Sequence, residues 1–164
     1  MDLGLAKKGA LVMASSGGIG RGVAAELASE GARVMLFARS EEKLIDAASA
    51  IEAETGNRPL YTVGDITSAD DVYGVVEKTV AEFGGLWALF NNTGGPPAGG
   101  FEDFDDAAWQ TAFELTTLGY VRAIRAALIP MKAAGGGRIV NNTSVSTKTA
   151  VSYTHLTLPT MDHV

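Results

Sequence analysis

Short apolar runs and longer amphipathic segments alternate four times between residues 1 and 150, and few folds tolerate that rhythm. The runs are Ala10–Met13, Arg33–Ala38, Leu60–Val63, Leu86–Phe90 and Arg138–Val140 with its extension. They are strand-length and mostly apolar throughout rather than on every second residue, the pattern of strands covered on both faces. The first helical segment runs from Gly18 to Glu30 and stops at Gly31, a residue suited to a left-handed C-cap. Ser40 caps a second segment that starts with Glu41 and Glu42 and fades near Gly56, while Ser68-Ala69-Asp70-Asp71 opens a third that ends before Gly84. A fourth is expected from Asp106 to Ala134, kinked or ended by Pro130 ahead of Gly135-Gly136-Gly137. Strands joined by helices need right-handed crossovers. The expected fold is therefore α/β, a Rossmann-like doubly wound parallel sheet cut after its fifth strand. At 164 residues this is one domain.

Charge narrows the partners. Nineteen Asp and Glu against thirteen Lys and Arg leave a net charge of −6, which argues against a fold-wide basic surface for nucleic acid or an anionic membrane. No run approaches the ~20 apolar residues of a membrane span, and no apolar stretch of signal length follows the lysine pair near the start. The chain has no cysteine, so disulfides, thiolate metal sites and cysteine nucleophiles fall together. The expectation is a cytoplasmic domain with small-molecule ligands and neither nucleic-acid nor membrane partners.

The first strand runs into Ala14-Ser15-Ser16-Gly17-Gly18-Ile19-Gly20. A glycine-rich turn between a strand and a helix lets the backbone approach a pyrophosphate without Cβ interference and aims free N–H groups at the anion. A tight turn holding no ligand has the same composition, so the surrounding strand and helix carry the assignment. At the end of the second strand, where an acid would accept from an adenine ribose 2′-hydroxyl, stands Arg39, with no acid before Glu41. An arginine there suits a 2′-phosphate, which points to NADP(H) over NAD(H). Arg39 is otherwise a solvated surface cation.

Four motifs in order resemble the short-chain dehydrogenase/reductase family, and the wording is most similar to bacterial 3-oxoacyl-carrier-protein reductases. Gly18-Ile19-Gly20 resembles the last two glycines of the family's TGxxxGxG turn, with Met13-Ala14 in place of its Thr-Gly. Asp65-Ile66 after Val63-Gly64 resembles the segment beside the adenine ring, and Asn91-Asn92-Thr93-Gly94 resembles the NNAG stretch. Ile139-Val140-Asn141-Asn142-Thr143-Ser144 resembles the strand that ends on the catalytic serine. The resemblance implies cofactor contacts at Ala14, Ser15, Ser16, Gly18, Ile19, Gly20, Arg39, Asp65, Ile66, Asn91, Thr93 and Gly94. Asp65 is equally a strand-end turn residue, and Asn91 is as much a tie between central strands as a ligand contact. It implies hydride transfer between NADP(H) and a small-molecule carbonyl or alcohol, such as a 3-oxoacyl thioester, in a parent that is a homo-oligomer.

In the resembled family a serine polarises the carbonyl oxygen, a tyrosine delivers the proton, a lysine four residues later tunes the tyrosine, and an asparagine supports a water relay. Ser144 takes the serine position, and Thr116 stands where the asparagine is expected. Tyr153 lies too near Ser144 and is followed four residues on by Thr157, and no lysine comes after Lys148. The segment 151–164 holds both histidines and no Gly, Ala, Lys or Arg, and resembles translated adaptor or vector sequence. Its histidines are eight apart, matching no common metal spacing. The expectation is an incomplete NADP(H)-binding domain over 1–150, a non-native tail, and a fragment inactive by itself. The alternative is a non-catalytic dinucleotide-binding or sensory module.

Overall fold

A computed structural model of the chain describes residues 3–144. Its five strands are β1 (Gly9–Met13), β2 (Arg33–Ala38), β3 (Leu60–Val63), β4 (Ala88–Asn91) and β5 (Arg138–Asn141). All pair in parallel in the order β3-β2-β1-β4-β5, so the chain crosses over between β3 and β4. The helices are α1 (Gly18–Ser29), α2 (Glu41–Thr55), α3 (Ala69–Phe83), α4 (Asp106–Phe113) and α5 (Gly119–Ala133).

Successive strand residues face opposite layers, and the sequence supplies apolar side chains to both. Leu11, Met13, Met35, Phe37 and Leu89 meet Val72 and Val75 of α3 and Tyr120, Ala123 and Ala127 of α5. Val12, Val34 and Leu36 face Ala24 and Ala28 of α1 and Leu44, Ala48 and Ile51 of α2. Each large side chain removed from water here, such as Phe37 or Leu11, contributes roughly 1.5–3 kcal/mol. Alanines on α1 and α2 let those helices lie close to the sheet.

The helix ends follow the expected chemistry. The Ser40 and Ser68 hydroxyls accept from Lys43 N–H at 3.4 Å and Asp71 N–H at 3.2 Å. Gly31, Gly56 and Gly84 take left-handed φ of 79°, 74° and 73° just beyond their helices. Asp71 does not complete a reciprocal capping box, because its carboxylate accepts from the Asp65 N–H at 2.8 Å instead.

Three boundaries differ from the sequence expectation. The fourth strand covers Ala88–Asn91 rather than Leu86–Phe90, since Leu86 turns into the core as the chain leaves Gly84-Gly85. The long fourth helix is two helices joined by a π-helical turn, Glu114–Leu118, in which Gly119 N–H reaches Glu114 C=O. Pro130 lies inside α5 rather than at its end, and the chain leaves the helix where Gly135 takes a φ of 82°. Phe113, Val121 and Leu128 stay exposed along these helices, as does Ile129, while Trp109 packs on Phe101 with ring centroids 5.8 Å apart. The segment 151–164 lies outside the described residues.

Candidate functional site

Because every strand points the same way, the residues that follow them gather along one edge of the sheet. That edge carries the glycine turn after β1, Arg39 after β2, Asp65 after β3, Asn91 to Gly94 at the end of β4 and Ser144 after β5. Such an edge, at the point where strand order reverses between β1 and β4, is where open parallel sheets bind ligands.

The glycine turn is built tightly from within and open outward. A Cβ on Gly20 would overlap the Ala14 carbonyl oxygen and lie 2.9 Å from Ser15 Cα, so only glycine fits there. Gly17 and Gly18 have no neighbour within 4 Å of their missing Cβ positions. Gly17 caps α1 without a side-chain hydrogen bond, and the first turn holds no acid, whereas α2 and α3 each have a serine cap and two acids. Ser15 is fully buried: its hydroxyl donates to Val12 C=O at 2.7 Å and accepts from Phe37 N–H at 2.9 Å. Its side chain therefore ties the turn to β1 and β2. Ser16 is half-buried and Ile19 exposed at the helix mouth. These residues fit the pyrophosphate of a dinucleotide: a cradle that a Cβ would fill, facing a helix start with no acid of its own.

At the neighbouring strand ends Arg39 and Asp65 face each other, with Nη1 and Oδ2 4.0 Å apart and the arginine side chain 81% exposed. A pair so open to water contributes little to stability. Asp65 is also a turn residue, since its Oδ1 accepts from the Thr67 N–H at 2.9 Å and the Thr67 hydroxyl at 2.8 Å. Ile66 turns inward and joins the core beside α5.

A seam of amides closes the other half of the edge. Asn91 Nδ2 donates to Asn141 Oδ1 at 2.8 Å, and Asn142 N–H donates to Asn91 C=O at 2.9 Å. Asn142 Nδ2 donates to Asn92 Oδ1 at 2.9 Å, Asn92 Nδ2 to Ala14 C=O at 3.3 Å, and the Tyr120 hydroxyl to Asn142 C=O at 2.9 Å. Asn91 is fully buried, and its Oδ1 has no donor among the described residues. Burial pushes the Tyr120 phenol above its ordinary pKa. Thr93 bonds to the adjoining Gly94 carbonyl. Thr116 is half-buried in the π turn, with its hydroxyl donating to Ala112 C=O at 2.7 Å.

The sequence model described as short chain dehydrogenase matches residues 8–156. The chain belongs to this family. The match runs beyond residue 150, the boundary expected for native sequence, into residues whose structure is not described. A cis-4-hydroxycyclohexanecarboxylate dehydrogenase of Sinomonas cyclohexanicum is 34% identical over 146 residues, covering 88% of this chain and 58% of that protein. A 3-oxoacyl-[acyl-carrier-protein] reductase of Chlamydia muridarum is 32% identical over 142 residues, covering 86% and 57%. L-Sorbose reductase of Gluconobacter frateurii, solved with NADPH and L-sorbose, superposes with a TM-score of 0.88 at 35% identity, covering 93% of this chain and 58% of its own. The chain thus spans little more than half the length of these relatives.

Within this short-chain dehydrogenase sheet, the structure sets Ser144 exposed beyond β5, in the row that holds the glycine turn and the asparagine seam. Sequence reasoning passed over Asn92, Asn142, Tyr120 and the Glu114–Arg122 pair. Two consecutive asparagines at the ends of both β4 and β5 were a legible signal for the seam, since neighbouring strands set such pairs side by side. Nothing local marks Arg122, whose partners lie 55 and 8 residues away.

Proposed function

We propose that this chain is the dinucleotide-binding part of a short-chain dehydrogenase that transfers a hydride between NADP(H) and a carbonyl or alcohol substrate, with 3-oxoacyl thioesters among the candidates. The observation that carries the reading is the pairing of the glycine cradle with Arg39 at the next strand end. In this reading the α1 N-terminus and the Gly17–Gly18 backbone hold the pyrophosphate, and Arg39 meets a 2′-phosphate. Asp65 and Ile66 border the adenine, and Asn91, Thr93 and Gly94 line the path toward the nicotinamide. The NADPH-bound L-sorbose reductase supports that choice of nucleotide. When bound, the nucleotide supplies the hydride. Ser144 would polarise the substrate oxygen, and Thr116, with its hydroxyl given to Ala112, is a poor substitute for a water-binding amide. The parent would act as a homo-oligomer.

The test is titration of the chain with NADPH and NADH by ligand fluorescence, wild type against Arg39→Asp. Tighter binding of NADPH, reversed in the variant, is expected; an unchanged NADPH preference in the variant sinks the assignment. A second reading, a binding module without turnover, is favoured by the absence of a lysine four residues after Tyr153. A positioned acid contributes ~10²–10⁴ in rate. NADPH oxidation with ketones and 3-oxoacyl thioesters should therefore be negligible for this chain, and efficient for one extended with a Tyr-x-x-x-Lys helix. Efficient turnover by the shorter chain would show that another acid serves.

A further inference from the structure

We propose that Arg122 is a positioning residue that couples nucleotide binding at the Asp65–Thr67 loop to the order of the π turn carrying Thr116. This rests on the dinucleotide reading above. Arg122 sits near the start of α5, and its Nη1 is shared. It donates to Thr67 C=O at 2.7 Å and to Glu114 Oε2 at 2.9 Å. Thr67 in turn holds Asp65 Oδ1 through both its N–H and its hydroxyl. Hydrogen bonds therefore run without a break from the carboxylate beside Arg39 to the first residue of the π turn.

Packing reinforces the same junction. A Cβ on Gly119 would lie 2.8 Å from Ile66 Cγ1 and 3.1 Å from Ile66 C=O, so the glycine that closes the π turn allows the loop to rest on it. The Arg122 and Glu114 side chains are only 19% and 29% exposed, while each of the other two ion pairs of the described residues is more open to water. A partly buried pair is screened by salt much less than an exposed one. A π turn is a rare, single-turn insertion in an α-helix, frequent at functional sites, and the Arg122 pair is fastened to the first residue of this one. Ordering the loop against an adenine would therefore order the turn, and Arg122 carries the connection.

Hydrogen exchange of the chain, alone and with NADPH or adenosine 2′,5′-bisphosphate, tests this. The bisphosphate lacks a nicotinamide, so any protection it confers on Glu114–Leu118 has to pass through the loop. In the wild type both nucleotides should slow exchange at Ser15–Gly20, at Asp65–Thr67 and at Glu114–Leu118. Arg122→Gln should keep the first two and lose the third. Glu114→Gln, which leaves the Arg122–Thr67 bond in place, should lose the third as well, and it carries the test if Arg122→Gln does not fold. Protection of Glu114–Leu118 that survives both substitutions overturns the coupling. So does protection there by NADPH and not by the bisphosphate, which would mean direct contact. No protection at Ser15–Gly20 with either nucleotide overturns the dinucleotide reading itself, and the coupling with it.

Discussion

Asn92 Nδ2 donates to the carbonyl oxygen of Ala14 at 3.3 Å, across 78 residues of sequence, and so ties the end of β4 to the first residue of the glycine turn. Ala14 has a φ of 46°, in the left-handed region that disfavours a Cβ. Its carbonyl oxygen is also the atom against which Gly20 is packed. The conformation that shapes the turn is thus held from outside by an amide, not by the residue's own preference.

Replacing Asn92 with alanine removes that donor and also strands Asn142 Nδ2, which donates to Asn92 Oδ1. Both partners are half-buried, so leaving them unsatisfied should cost about 1 kcal/mol, the low end of the range for buried groups. Urea denaturation should show that loss, together with weaker nucleotide binding. A change under about 0.5 kcal/mol would mean that the seam is replaced by water at no cost.

Ala14→Gly acts in the opposite direction. A non-glycine residue in the left-handed region costs roughly 1–2 kcal/mol, and glycine removes most of it, less its greater freedom in the unfolded chain. The expected result is a gain of about 0.5–1 kcal/mol by urea denaturation. A loss would show that the alanine methyl packs better than its backbone angle suggests.

The layers and the doubly wound parallel sheet were legible because periodicity and crossover rules act locally. Apolar runs such as Arg33–Ala38 and Leu60–Val63 coincide with their strands, and Ser40 and Ser68 cap the helices they precede. The glycine turn, Arg39 and Asp65 reach one edge because a parallel sheet sends every strand end there. The interior of that edge was legible only in the asparagine pairs that end β4 and β5. The bonds of Ser15 to Phe37 and of Asn92 to Ala14 join residues 22 and 78 apart, which spacing along the chain does not encode. The π turn was invisible for a related reason. Its sequence, Glu114-Leu115-Thr116-Thr117-Leu118, continues a helical pattern, and the glycine that closes it lies against Ile66, a contact that no local pattern displays.

Tyr120 gives a pH dependence with a definite sign. Burial raises its pKa above the ordinary value of about 10. The unfolded chain then loses this proton at a lower pH than the folded one, so the phenol's contribution is fully present below about pH 10 and declines as pH rises through the folded value. Tyr120→Phe should lower neutral-pH stability by about 1 kcal/mol, from the lost bond to Asn142 C=O, and flatten the alkaline limb. Equal alkaline slopes in both proteins would place the titrating group elsewhere.

Asp65 has two oxygens with different duties, and Asp65→Asn separates them. Oδ1 accepts both Thr67 bonds, and an asparagine oxygen keeps them. Oδ2 faces the exposed Arg39 at 4.0 Å. Folding stability should move by less than about 0.5 kcal/mol, because so exposed an ion pair contributes little. Nucleotide choice should move more. A carboxylate beside Arg39 repels a 2′-phosphate arriving at the same guanidinium, so its neutralisation should tighten NADPH several-fold and leave NADH nearly unchanged. The difference should shrink at high salt, as expected for a solvent-exposed charge. Equal gains for NADPH and NADH would instead assign the effect to the loop's shape, and Arg39 would lose its claim to the phosphate.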